Sequence, residues 1–365
     1  MDRADVGTVR GLARALVAIP SHEDETEAGE FIAGWLREHT DASVDHGEAG
    51  VVARRGDPDA ADRIALVGHH DVVPPDDPQV DEGGEYVVEE RDGRLYGRGS
   101  ADMKGSVAAA MCAFRDADAP CTFASFRGEE RGGIGARAAI DAGFTPEYAI
   151  VGEGSTGYSA PGVTDVVVAH KGRRGSTVTA RGASAHASEP EAGENAIYRA
   201  ADAVSVVRGL DAPSAEVLGQ SLSGSVVVTE IEGGSAWNVV PERCSFTVDE
   251  RTVPGERAEL ERVEEREGVS WTVDQDLPPM ACEDEAFAEA VLGAAGDAQD
   301  DTPQRVAKPH ATDAGWLAGA GTACVVCGAS ERGEAHTADE SVSLAVLDRC
   351  YEIYREAVGR VADLD

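Results

Sequence analysis

The chain has 365 residues, more than a single hydrophobic core usually serves, and its 42% hydrophobic content with 42 glycines suits an α/β globular enzyme and argues against disorder. Sixty-eight Asp and Glu against 32 Lys and Arg leave a formal net charge of −36, which argues against nucleic acid and anionic membranes as partners. Self-repulsion on that scale calls for screening, and the Debye length falls to about 3 Å at 1 M ionic strength, so the composition points to a salt-rich cytosol.

The first twenty residues carry no long apolar run, and none later approaches a membrane span, so neither a signal peptide nor a transmembrane helix is expected. Helical periodicity marks "TVRGLARALVAIP" and "EAGEFIAGWLREH", separated by the turn-like "PSHEDE". A strand, "RIALVGHHD", and a Gly/Asp-rich hairpin, "DEGGEYVVEERDGRLYGRGS", follow. Next come a helix in "KGSVAAAMCAFRDA", a strand "CTFASFRGEE", a helix in "GGIGARAAIDAG" and a strand "YAIVGEGST". This β–α alternation predicts a sheet covered by helices on both faces.

From 173 to 277 the pattern changes to strand "RGSTVTARG", helix "ENAIYRAADAVSVVRGL", strands "SVVVTEIEGG" and "RCSFTVDERTV", helix "ERAELERVEERE" and strand "VSWTVDQD". That β-α-β-β-α-β order is that of a ferredoxin-like α+β unit, here read as an inserted lid. The remainder, 278–365, returns to α/β patterning and completes the domain begun by 1–172. Cys324 and Cys327 form a lone C-x-x-C in an apolar strand, and seven cysteines spread over the chain suit a reducing compartment rather than a disulfide framework. The only lysines are Lys104, Lys171 and Lys308, and a lysine retained where nearly all have gone is expected to hold a specific place.

Acidic residues and histidines punctuate the strand ends: His69, Asp102, Glu129, Glu130, Glu153 and His336. Side chains beyond the carboxyl ends of α/β strands converge on one crevice, so these point to a metal site. Mixed imidazole and carboxylate donors suit zinc or a similar ion such as cobalt, whereas magnesium and calcium prefer oxygen alone. Asp102 is the candidate to bridge two ions about 3.5–4 Å apart. Of Glu129 and Glu130, one can bind metal while its neighbour takes a proton from water. His69 and His70 face opposite sides of their strand, and only His69 shares its side with Asp71.

In their order, "GHHDVVPP", "RLYGRGSADMKGSVAAAM", "FRGEERGG", "IVGEGS", "ASAHASEPEAGENAI", "WNVVPERCSFTVDERT", "KPHATDAGW" and "EAHTADE" resemble the di-zinc N-acyl-amino-acid hydrolases over roughly residues 10 to 355. That family holds desuccinylases, acetylornithine deacetylases, aminoacylases and related carboxypeptidases. The resemblance implies a zinc-peptidase-type catalytic domain carrying two Zn2+ or Co2+. His69, Asp102 and Glu153 would hold one ion, and Asp102, Glu130 and His336 the other. It further implies Asp71 as orienter of His69, Glu129 as general base, and a homodimer through the lid. His186 would stabilise the oxyanion in the partner's site, with Asn238 nearby. Arg173, Arg174 and Arg251 are guanidinium forks suited to a substrate with several carboxylates, and the "RLYGRGSADMKGS" and "KGRRGS" segments look closer to the desuccinylase branch. Acetylornithine or carrier-linked lysine and ornithine hydrolysis, a dipeptidase and a non-catalytic homologue are the alternatives. "VGEGS" lacks the proline often found after the zinc glutamate, and Pro309 and His310 stand where glycines are common, which leaves acyl and amino-acid specificity open.

Overall fold

Four apolar runs, Ile64–His69, Cys121–Phe126, Tyr148–Val151 and Ala323–Val326, lie side by side as parallel strands in the computed structural model. Nearly all their side chains are buried, as a parallel sheet covered on both faces demands. Antiparallel strands Gly50–Arg55 and Ser43–Gly47 extend one side of the sheet. On the other side Val166–His170 joins antiparallel, followed by Met280–Ala281, with Arg305–Lys308 also paired to Val166–His170. The result is a nine-stranded mixed sheet flanked by helices. The hairpin at 43–55 escaped the sequence reading because its strands are short and half-exposed, with little alternation to read.

Helix Gly105–Asp116 is alanine-rich, which suits its backbone, and it is buried from Gly105 to Phe114. It packs against Leu344–Ala362, whose buried residues Leu347, Cys350, Tyr354, Ala357, Val358 and Val361 recur three or four apart on one face. The structure describes residues 6–364, without the side chains of residues 58 and 59; the expected domain limits at 1 and 365 lie outside these. Two units emerge: one takes the chain up to Ala169, Met280–Lys308 and the chain from Thr312, the other His170–Pro279 with Pro309–Ala311.

The smaller unit is a four-stranded antiparallel sheet in the order Ser225–Gly233, Arg243–Arg251, Arg173–Arg181, Val269–Leu277. Strict alternation puts Val178, Ala180, Cys244, Phe246 and Val248 on the face that Ala196–Arg208 covers. That helix starts at Asn195, whose side chain accepts from the backbone of Ile197 at 2.9 Å.

The helix expected in "ERAELERVEERE" is only a 3-10 segment, Leu260–Glu265. Its first turn is diverted: the Ala258 amide donates to Glu250 Oε1 at 3.1 Å and its carbonyl accepts from Arg174 Nη2 at 3.0 Å. Glu264 is diverted as well, accepting from the Trp271 amide. Among the described residues no helix is long and apolar enough to cross a membrane.

Candidate metal centre

The parallel strands deliver their carboxyl ends to one edge of the sheet, and the candidate ligands sit there. His69 is the last residue of its strand, Glu129 and Glu130 follow Cys121–Phe126 in a turn, and Glu153 lies two residues beyond Tyr148–Val151. Asp102 comes from the glycine-flanked loop before helix Gly105–Asp116, and the peptide that follows it is cis. His336 lies on a loop after Ala323–Val326, in the left-handed region at φ 64°.

Asp102 stands between the two imidazoles. Its Oδ1 is 3.1 Å from His69 Nε2 and its Oδ2 is 3.2 Å from His336 Nε2. Glu153 Oε1 also approaches His69 Nε2, at 3.3 Å, and Glu130 Oε1 approaches His336 Nε2 at 2.9 Å. His69, Glu129 and Glu153 each offer a ligand atom within 4.8 Å of the others, as do Asp102, Glu130 and His336. Glu129 thus falls in the group around His69 and Glu130 in the group around His336, so position divides the two glutamates.

Strand alternation separates the adjacent histidines. His70 turns away, its Nδ1 2.9 Å from Ser125 Oγ, and burial lowers its pKa to about 3. Asp71 does more than orient His69. Its carbonyl is the nearer partner of His69 Nδ1, at 3.0 Å against 3.5 Å for its carboxylate. The carboxylate instead receives the backbone amides of Glu129 at 3.0 Å and Glu130 at 3.1 Å, fixing the turn that carries both glutamates.

Buried like charges set the electrostatics. Burial raises Glu129 well above the ordinary carboxylate range, and Asp313, Glu153 and Glu130 push the same way. Burial also raises Glu130, and its hydrogen bond to His336 only partly offsets this. Burial works to lower His69, yet the hydrogen bonds its ring donates to Asp102, Asp71 and Glu153 outweigh it and hold the imidazole well above its usual value. His336, bonded to Asp102 and Glu130, is raised to about 10. Several carboxylates converging on two imidazoles are the donor set that a pair of divalent cations would neutralise, and the mixed nitrogen and oxygen donors fit zinc-like ions.

Two residues of "KPHATDAGW" join the centre without a role in the sequence reading. Lys308 Nζ lies 3.2 Å from Glu153 Oε2, leaving Oε1 to His69. Asp313 is buried with neither carboxylate oxygen partnered among the described residues, and burial, followed by Asp71 and Glu153, raises it to about 7. The near absence of lysine singles out Lys308, but no local pattern in the sequence singles out Asp313. Lys104 is likewise buried, donating to the Ile19 carbonyl at 2.6 Å. Cys324 and Cys327 are buried free thiols, raised by burial.

The remaining candidates lie in the smaller unit. His186 is exposed beside Val239 in a two-residue ladder, and the Ser188 amide donates to its Nδ1 at 3.2 Å. That bond makes Nδ1 the acceptor and leaves Nε2 to carry the proton in the neutral ring. Asn238 is half-buried, its carbonyl accepting from Ala187 at 2.9 Å. The three arginines divide by strand alternation. Arg173 and Arg251 both meet Asp249 at 2.8 Å, whereas Arg174 turns inward to Glu250 at 2.5 Å and lies over the Trp271 ring.

The description of peptidase family M20/M25/M40 matches residues 65–360. The chain is 32% identical over 319 residues to an acetylornithine deacetylase of Myxococcus xanthus, covering 81% of this chain and 79% of that protein. It is 31% identical over 386 residues to a succinyl-diaminopimelate desuccinylase of Acidiphilium cryptum, covering 98% of this chain and 94% of the other. Among solved structures, aminopeptidase PepT of Bacillus cereus matches with a TM-score of 0.80 at 20% identity, covering 98% of this chain and 99% of that one. A dinuclear metal-binding peptidase of the M20 family from Bacillus subtilis matches with a TM-score of 0.71 at 16% identity, each chain covered in full at 100%. Those two likenesses carry the fold.

Proposed function

Because the chain belongs to peptidase family M20/M25/M40 and is with it a metal-dependent hydrolase, we propose that it cleaves the amide of an N-acyl amino acid, with N-succinyl-LL-diaminopimelate as substrate. The observation that carries the reaction class is the Asp102 carboxylate reaching His69 with one oxygen and His336 with the other, beside the half-buried Glu129. His69 and Glu153 would hold one ion, Glu130 and His336 the other, with Asp102 shared. When bound, such a pair supplies an activated water and polarises the amide carbonyl. Glu129 takes a proton from the water on its carboxylate and returns it to the leaving amine, a role its raised proton affinity suits. His186 offers Nε2–H to the developing oxyanion. Of the three candidate arginines, Arg173 and Arg251 are more exposed than Arg174 and would meet the carboxylates of the substrate.

In a homodimer His186 would serve the partner's site. The edge strand Ser225–Gly233 supports that reading: it exposes Val227 and Ile231, and Tyr198 of the neighbouring helix and Trp237 are exposed as well. The net charge and the near loss of lysine support function at high salt, and the family role supports a cytoplasmic site of action.

The Myxococcus relative favours a second reading, N-acetylornithine hydrolysis. Amine release by zinc- or cobalt-loaded protein in molar KCl separates the two: faster turnover of N-succinyl-LL-diaminopimelate supports the first, and preference for N-acetylornithine replaces it.

A further inference from the structure

The loops that carry Asp102 and His336 are joined by residues outside the candidate ligand set. Upstream of Asp102, strand Arg94–Tyr96 pairs antiparallel with Ser341–Ser343, and the ladder ends at Tyr96 opposite Ser341. Beyond its end the Gly97 amide donates to the Glu340 carbonyl at 3.1 Å, and Arg98 Nη1 donates to Glu340 Oε2 at 2.7 Å. Both side chains are almost wholly buried, Arg98 at 2% exposure and Glu340 at 1%. The other Glu340 oxygen, Oε1, accepts the backbone amides of Ala101 at 3.0 Å and Asp102 at 3.1 Å. Arg98 also reaches Asp76 Oδ2 at 3.2 Å and the Thr337 carbonyl at 3.5 Å, and Gln79 Nε2 donates to that same carbonyl at 3.0 Å.

Arg98 lies four residues before Asp102, and Glu340 lies four residues after His336. One carboxylate thus holds the backbone of the shared ligand with one oxygen and, with the other, grips the guanidinium that reaches back to the residue next to His336. His336 needs such a brace more than the other ligands do. It is 49% exposed, stands at φ 64° where a side chain is disfavoured, and belongs to no strand or helix. His69, by contrast, is fixed by its own strand.

We propose that Arg98 and Glu340 are positioning residues that set the spacing between Asp102 and His336, and so form the outer of the two metal positions without touching the ion. The inference rests on the dinuclear reading of the centre. Groups that orient ligands from behind typically change metal affinity by about 10–100-fold, and a selective loss at one of two positions is not what a general loss of fold would give.

The test is cobalt binding by the full-length, metal-stripped chain, followed by equilibrium dialysis and by the visible absorption of the bound ion. His336→Ala identifies the outer equivalent. Glu340→Ala is expected to weaken that equivalent by about 10–100-fold and alter its absorption, and to weaken the inner equivalent, which keeps His69 and Glu153, by less. Glu340→Gln, which keeps an oxygen for the two amides, is expected to restore part of the loss. If an unpaired Arg98 prevents folding, Arg98→Met/Glu340→Leu leaves no buried charge, a replacement such pairs often tolerate, and the same selective loss is expected. Two equivalents with unchanged affinity and spectrum in these variants would overturn the inference, as would equal weakening of both. Wild-type protein binding fewer than two equivalents would instead overturn the dinuclear reading on which it rests.

Discussion

His69 and His186 are both proposed to serve one reaction, yet the chain holds them in opposite ways. His69 ends a buried strand between two parallel neighbours, with both ring nitrogens engaged by carboxylate or carbonyl oxygens. His186 stands exposed on a two-residue ladder, with the Ser188 amide and hydroxyl beside its Nδ1. The first group is placed by the sheet and cannot move without it. The second is free to meet a substrate and adds little to the fold. Stability and chemistry should therefore separate along this line, and mutations can show whether they do.

The largest effect is expected at the sheet edge. Glu129→Gln should lower kcat by about 10²–10⁴-fold while both metal equivalents stay bound, measured by turnover and metal analysis on one sample. Activity preserved after loss of metal would remove Glu129 from the base role. Lys308→Met leaves Glu153 without its buried cation, and breaking such a pair costs about 3–5 kcal/mol. The metal-free protein should melt well below wild type and recover part of the difference when zinc is added; an unchanged melting temperature would show that the sheet edge does not depend on this pair.

His186→Ala sharpens the contrast from the other side. Loss of one oxyanion donor lowers kcat by about 10²–10³-fold, while exposure predicts an unchanged melting temperature. Mixed with His69→Ala protein, it should regain activity through subunit exchange; no recovery would place His186 in its own subunit's site or outside the reaction. The smallest effect is a pH dependence. Asp313, raised to about 7, binds its proton more tightly folded than unfolded. Its contribution to the stability of the metal-free protein is present below about pH 4 and is lost as pH rises through about 7. Asp313→Asn should flatten that decline, and an unaltered slope would assign the decline to other groups.

Much of the sheet edge was legible because parallel strands announce themselves as apolar runs and an acidic or histidine residue at their ends stands out. "RIALVGHHD", "CTFASFRGEE" and "YAIVGEGST" each named a strand and the candidate ligand at its end. The groups behind the ligands were not legible. Arg98 and Glu340 meet across 242 positions, and nothing local distinguishes Glu340 from the chain's many other acids. The same limit explains the helix expected near Leu260: its pattern was helical, but Arg174 and Glu250 claim the backbone of Ala258. It also explains the arginines, which look like a set in sequence although strand alternation turns Arg174 to the opposite side.

Two of the three lysines, Lys104 and Lys308, are withdrawn from solvent, and Lys171 is only half-buried. Reagents and metabolites that attack side-chain amines, such as reducing sugars, cyanate or activated esters, therefore meet a surface offering them Lys171 almost alone among lysines. Such a chain should resist slow chemical ageing of its lysines, and Lys171 is the lysine suited to attachment of a label.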